Sequence, residues 1–133
     1  MKIAIVLDRR LPVGLLANSA AVLAFSVANH IPGAVGMDVP DSNGTIHPGI
    51  TRIPIPILAA DREQLSKIRK LVQEADNVGF VDFSDAAQKS KSYEQYTQLL
   101  QAASEKDLSY LGVCIYGDYK SVTQITGNIP LLR

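Results

Sequence analysis

Apolar positions along this chain fall into blocks whose spacing changes from continuous to helical to alternating. Ile3 to Leu7 is a short unbroken apolar run, the pattern of a strand covered on both faces. Asp8 to Val13 reads as a loop, and Gly14 opens a helix that continues to about Asn29. No charged side chain occurs from Leu11 to Asn29. Leu15, Leu16, Ala17, Ala20, Ala21, Val22, Leu23, Ala24, Phe25, Val27 and Ala28 leave almost no polar face, which predicts a helix buried nearly all round. A signal peptide is excluded because Asp8, Arg9 and Arg10 interrupt the first apolar run too early. Pro12, Gly14, Asn18, Ser19, Ser26 and Asn29 dilute the second run below a membrane span. A helix lying on a sheet in a small domain normally keeps one side wet. The missing solvent face therefore predicts a partner, most economically a second copy, unless the tail Ile129–Leu132 covers the helix internally.

The pattern shortens beyond this point. Val35 to Val39 suits a short strand, and "PDSNGTIHPG" carries turn chemistry throughout, with Asn43-Gly44 a strong tight-turn pair. In "RIPIPIL" (Arg52–Leu58), Ile53, Ile55 and Ile57 alternate and share one face. Pro54 and Pro56 alternate too, so both missing N–H groups fall on one edge, predicting an edge strand or an extended lead-in. Asp61 caps a helix with Gln64 at capping-box spacing, and Leu65, Ile68, Leu71, Val72 and Ala75 form its apolar stripe. Arg62, Lys67, Arg69, Lys70 and Glu74 mostly face water. "GFVDF" (Gly79–Phe83) is a strand, and Ser84 begins a short helix. Ser92 with Gln95 opens another helix, its stripe Tyr93, Tyr96, Leu99, Leu100 and Ala103. "YLGVCIYG" (Tyr110–Gly117) is a buried strand, and a short helix through Val122 and Ile125 ends at Gly127. The order β-α-β-β-α-β-α-α-β-α predicts an α/β three-layer sandwich around a small mixed sheet.

Length and charge narrow the function. A chain of 133 residues fits a single domain spanning 1–133 with its own core. Acids and bases balance at 13 each, so no global field attracts nucleic acid or an anionic membrane, and neither is the expected partner. One cysteine, Cys114, excludes an internal disulfide and agrees with a reducing, cytoplasmic compartment. It sits in an apolar run and reads as a buried, inert thiol. Asp41, Asn43 and Gly44 mimic part of a calcium loop, but Val39 and Ile50 would occupy its first and last ligand positions, so a turn is the better account. His47 has no second histidine at metal-ligand spacing, His30 being remote. No metal and no cofactor is expected.

Two stretches carry a resemblance. "KIAIVLDRRLPVGLLANSAAVLA" and "GDYKSVTQITGNIPLL" resemble the first strand–helix and the C-terminal segment of type II peptidyl-tRNA hydrolases. Gly14, Gly117, Thr126 and Gly127 are the matching pieces. Over nearly its full length the chain also resembles a bacterial family of unknown function, DUF2000, which shares that hydrolase fold. "LPVGLLANSAAVLA", "PIPIL" and "VTQITGNIPLLR" carry that match. The resemblance implies a hydrolase-like fold but not its chemistry. Where the hydrolases have a lysine, a histidine and a threonine, this chain has Leu15, Val22 or an apolar neighbour, and Gly112. Asp85, in "SDAAQ", is the one counterpart of a family carboxylate and the weak candidate for a catalytic residue. Ester hydrolysis needs a polarising group and a proton carrier at one carbonyl, and a single aspartate does not supply both.

The expectation is therefore a non-hydrolytic domain that binds a small molecule or a partner. Arg9 and Arg10 would form a cationic lip, Gly14 and Asn18 the helix side, and Asp85 the opposite wall. A simpler account makes Arg9 and Arg10 solvated loop charges. Asn18, read as an amide on a buried helix, must be hydrogen-bonded, to a ligand or to structural backbone. The alternative is an enzyme with rebuilt chemistry on a nucleotide- or peptidyl-tRNA-like substrate, drawing on Asp85, Arg9, Tyr116 and Asp118.

Overall fold

The alternation in the first strand organises the molecule. The computed structural model describes residues 1–133, and β1 (Lys2–Asp8) sends Ile3, Ile5 and Leu7 into one apolar core and Ala4 and Val6 into another. α1 (Val13–Ala28) follows, then a small hairpin of β2 (Val39–Pro40) and β3 (Ile46–His47), and β4 (Ile57–Ala60). The chain continues through α2 (Arg62–Glu74), β5 (Val78–Ser84), α3 (Asp85–Lys89) and α4 (Tyr93–Ala102). A 3₁₀ turn (Glu105–Asp107), β6 (Tyr110–Gly117) and α5 (Tyr119–Thr126) complete it. The main sheet has the order β4-β1-β6-β5; β1 and β4 are parallel, and β6 runs antiparallel to both β1 and β5. It is a mixed α/β fold. β1, β4 and β5 thus end at the same side of the sheet.

Each face of the sheet takes helices of its own. Leu23 and Val27 of α1 close one core over Ile3, Ile5, Leu7, Leu111 and Cys114. Leu65, Ile68 and Val72 of α2, with Val122 of α5, close the other over Ala4, Val6, Val113 and Ile115. Gly112 shows how closely α1 approaches. A Cβ there would come within 2.5 Å of Leu7 and 3.0 Å of Leu23 side-chain carbons, so any larger residue would force these leucines to shift in the packed core. Asp61 caps α2 by accepting the Gln64 N–H at 2.7 Å, and Ser92 caps α4 through the Gln95 N–H. Both capping signals are realised in the half that orders the first turn.

Ile53–Pro56 is the extended lead-in, its isoleucines packed on the α1-side core, and pairing begins where the prolines stop. There the C-terminal tail joins the outer edge of β4: the Ala59 N–H donates to the Pro130 carbonyl at 2.8 Å and the Leu132 N–H to Ile57 at 2.9 Å. Leu132 of the tail packs on the α1-side core, but the outer face of α1 stays exposed.

Three expectations change. Only Ser19, Leu23 and Val27 of α1 are buried, because one face rests on a single sheet and no second layer lies outside it. Gly14, Ala17, Asn18, Ala21, Phe25 and Ala28 face out, and Phe25 is 87% exposed. α4 buries no residue at all: a cleft separates it from the free edge of β5, and Tyr93 is 81% exposed. Val35–Val39 is not one strand but part of a long arm. In it Val35 bridges Thr51 and Val39 pairs with His47 in one continuous antiparallel register.

Candidate functional site

The residues singled out by sequence sort to two ends of the sheet. At the end where β1, β4 and β5 terminate, the Asp8 carboxylate accepts the Arg10 N–H at 3.0 Å and the Arg9 N–H donates to Ala60 at 2.9 Å. These bonds fix the backbone of Arg9 and Arg10. Their side chains are exposed and enter no ion pair. Asp85 stands at the same end, but its groups are engaged. Its N–H donates to Ser109 at 2.8 Å, its carboxylate accepts the Ser109 N–H at 3.2 Å, and the Lys89 ammonium lies at 3.5 Å. This clamp joins the end of β5 to the start of β6.

Gly14 and Asn18 stand on the outer surface of α1. Nothing lies within 4 Å of where a Cβ on Gly14 would be, so no contact within the chain requires glycine there. Asn18 is exposed rather than buried, which corrects the expectation of an amide needing a buried partner.

Tyr116 and Asp118 lie at the far end. Register places Tyr116 opposite Ile3 and Gly112 opposite Leu7, so Tyr116 is roughly 15 Å along the strand from the Arg9 end. Its ring stacks on His30 with centroids 5.7 Å apart and fills the space over Gly79, where a Cβ would clash. Asp118 caps α5 through the Ser121 N–H, and hydrogen bonding by Ser121 holds its carboxyl below the usual range. The seven candidates do not share one pocket.

A different cleft gathers chemistry. It lies between α1, the free edge of β5 and the α3–α4 loop, encloses about 500 Å³, and is lined by Val22, Ser26, Phe83, Lys91, Tyr93 and Tyr96 among others. Val81, Phe83 and Val22 supply apolar wall, and the two tyrosine rings meet edge to face at 5.5 Å. Burial, reinforced by the Asp82 charge, pushes the Tyr96 hydroxyl up, so it stays a neutral donor at neutral pH. Asp82 also lines the cleft, but its carboxylate accepts from Arg69 Nε at 2.6 Å, and that guanidinium lies over the Phe80 ring. Lys91 is in no ion pair. Lys91 is therefore the one uncompensated charge among the residues that line the cleft.

Sequence reasoning missed this place because its parts looked ordinary. Tyr93 and Tyr96 had helical spacing and read as core or interface, Val22 as a lost histidine position, and Lys91 carried no signal. The remaining reactive group is shut away. Burial pushes the Cys114 thiol up to about 12, which makes it inert. No three His, Cys, Asp or Glu side chains gather as a metal site, and no helix is long and apolar enough to cross a membrane.

With the geometry in place, the class follows from the whole chain. Residues 1–133 match the profile of a family described as protein of unknown function (DUF2000), and the chain belongs to that family. The fold is that of a solved protein of unknown function, Atu0240 from Agrobacterium tumefaciens strain C58. The two are 24% identical with a TM-score of 0.88, over 98% of this chain and 96% of that one. No curated protein matches the chain.

Proposed function

We propose that this protein is a non-hydrolytic binding domain that takes a small aromatic anion in the α1–β5–α4 cleft. The observation that carries the reading is that Lys91, in no ion pair, lines the same cleft as the Tyr93–Tyr96 pair, with Asp82 already neutralised by Arg69. Rings would lie against Val22, Phe83 and Tyr96, and a carboxylate would meet Lys91. α4, anchored by no buried residue, can adjust at low cost. Thermal unfolding and tyrosine fluorescence with benzoate and salicylate, against benzamide, test this. A ligand at about 100 times its Kd adds about 2.7 kcal/mol of stability. Carboxylates should stabilise the protein and lose that effect in Lys91→Gln and Tyr96→Ala. Equal response to benzamide, or none to any of them, would overturn the assignment.

The resemblance to type II peptidyl-tRNA hydrolases bears on the alternative, an enzyme with rebuilt chemistry at the Arg9–Asp85 end. By that resemblance, the positions corresponding to the hydrolase lysine, histidine and threonine carry Leu15, Val22 or an apolar neighbour, and Gly112. None of these holds a proton or stabilises an oxyanion, and Asp85 is engaged by Ser109. Cleavage of peptidyl-tRNA within about tenfold of a type II enzyme, lost in Asp85→Ala, would reverse this reading.

We also propose that the protein works as a homodimer through the outer face of α1. Sixteen residues of helix carry no charged side chain, and the face turned to solvent consists of Gly14, Ala17, Asn18, Ala21, Phe25 and Ala28. A cytoplasmic location fits its single buried thiol.

A further inference from the structure

The hairpin arm between α1 and β4 is well built yet dresses its surface with apolar side chains. Its strands keep one register from Val35–Thr51 to Pro40–Ile46, and the Gly36 N–H donates to Ile50 at 2.8 Å. At the tip the Asp41 carboxylate accepts the Asn43 and Thr45 N–H groups and meets His47 Nε2 at 2.9 Å. Midway, Gly49 crosses Gly36 so closely that a Cβ would lie 1.8 Å from the Gly36 carbonyl oxygen. Such an arm has a fixed shape. Even so, Met37, Val39, Ile46 and Ile50 each leave between 57% and 80% of their surface in water. A hollow of about 580 Å³ along it presents Met37, Val39, Pro48 and Ile50.

The arm's root meets α1. Val35, Thr51 and Ile55 join Ala21, Phe25 and Ala28 around an almost wholly apolar groove of about 390 Å³. The uncharged helix face and the apolar arm are therefore one continuous surface, with a projecting ring (Phe25) and a hollow on the same chain.

We infer that two copies embrace about a twofold axis, with the arm of each lying against the α1 face of the other and Phe25 as the anchor. This rests on the pairing of copies proposed above and names its second half. A closed twofold interface requires each chain to carry both complementary parts, and this chain does. The area is sufficient. Val13, Phe25 and the one arm face that carries Val35, Met37 and Val39 expose roughly 500 Å² of apolar surface, and polar atoms make up about two-fifths of a typical interface. A stable interface takes about 800 Å² per partner, and the alanines of α1 add to the total. The arm's acids are engaged within it: Asp41 by His47 and Asp38 by the Gly49 N–H at 2.9 Å. The surface offers no basic cluster to a lipid headgroup.

Sedimentation across the micromolar range, with far-UV circular dichroism as the check on folding, tests the embrace. The intact chain should sediment as a dimer. Phe25→Glu, Met37→Lys and Val39→Lys, all at exposed positions, should each weaken it by about 30-fold or more without altering the dichroism. A dimer weakened by Phe25→Glu but indifferent to both arm variants would overturn the role of the arm and leave pairing through α1 standing. A monomer at every concentration would overturn both.

Discussion

α1 and α2 lie on opposite faces of one sheet, and their inner halves are built alike. Each buries three side chains, Ser19, Leu23 and Val27 against Leu65, Ile68 and Val72. Their outer halves differ. Outward from α2 come Arg62, Glu63, Lys67, Lys70 and Glu74, with Lys67 and Glu63 paired at 3.4 Å. The outer face of α1 has no charge. Packing against the sheet dictates what a helix turns inward, whereas the outer face reflects what it meets there. Water accounts for the outer face of α2. Something less polar is needed to account for that of α1, which is the reason for pairing copies there.

If the inner halves are equivalent, truncating them should cost the same. Leu23 and Leu65 are both fully buried, so Leu23→Ala and Leu65→Ala should each lose about 3 kcal/mol in urea unfolding. A loss under about 1 kcal/mol at Leu23 would mean that α1 rests loosely on the sheet and that the comparison is false.

Beneath α1, Cys114 extends the test to pH. Its thiol is pushed up to about 12 by burial, from an ordinary value of 9.0. The fold therefore holds the thiol proton more tightly than the unfolded chain does. This stability is complete below about pH 9 and lost as pH rises towards 12, by about 1.4 kcal/mol per pH unit. Unfolding measured up to about pH 10 should show that decline, and Cys114→Ala should flatten it. An unchanged slope in the variant would mean that the thiol is reached by water.

Ser19 marks where the α1 side is imperfect. Its Oγ is buried without a hydrogen-bond partner, in the place where α2 has only apolar side chains. Ser19→Ala removes an unsatisfied group and improves helix propensity, so it should stabilise by about 1 kcal/mol. Melting should rise by about 4 °C. A fall would reveal an ordered water or partner at that hydroxyl.

These differences also show what could be read in the chain. Ile3–Leu7, the Asp61–Gln64 cap and Tyr110–Gly117 were legible because each signal is local: a run, a cap, a bounded apolar block. The alternating prolines showed where pairing stops, and β4 begins just after Pro56. The arm was legible only as a short strand and turn residues, because its register depends on Val35 meeting Thr51 across sixteen positions. The cleft was not legible. It depends on α4 standing off from the edge of β5 without burying a residue, and a stripe of Tyr93, Tyr96 and Leu99 looks the same whether or not a core receives it.

Asn18 separates the two readings of α1 with the smallest change. On a helix buried all round, Asn18→Leu would leave an unpaired group and cost about 1–3 kcal/mol. The amide is in fact exposed on the outer face, between Gly14 and Ala21. An exposed substitution away from any cap or core changes the stability of the folded chain by less than about 0.5 kcal/mol. Unfolding of a dilute, monomeric sample should therefore be unchanged, whereas α2 offers no equivalent position whose change would be felt only at high concentration. If copies pair through this face, the leucine adds apolar area at the contact. Concentrated samples of Asn18→Leu should then melt higher than wild type, while dilute samples melt together. A loss of stability at every dilution would mean that Asn18 is held within its own chain after all.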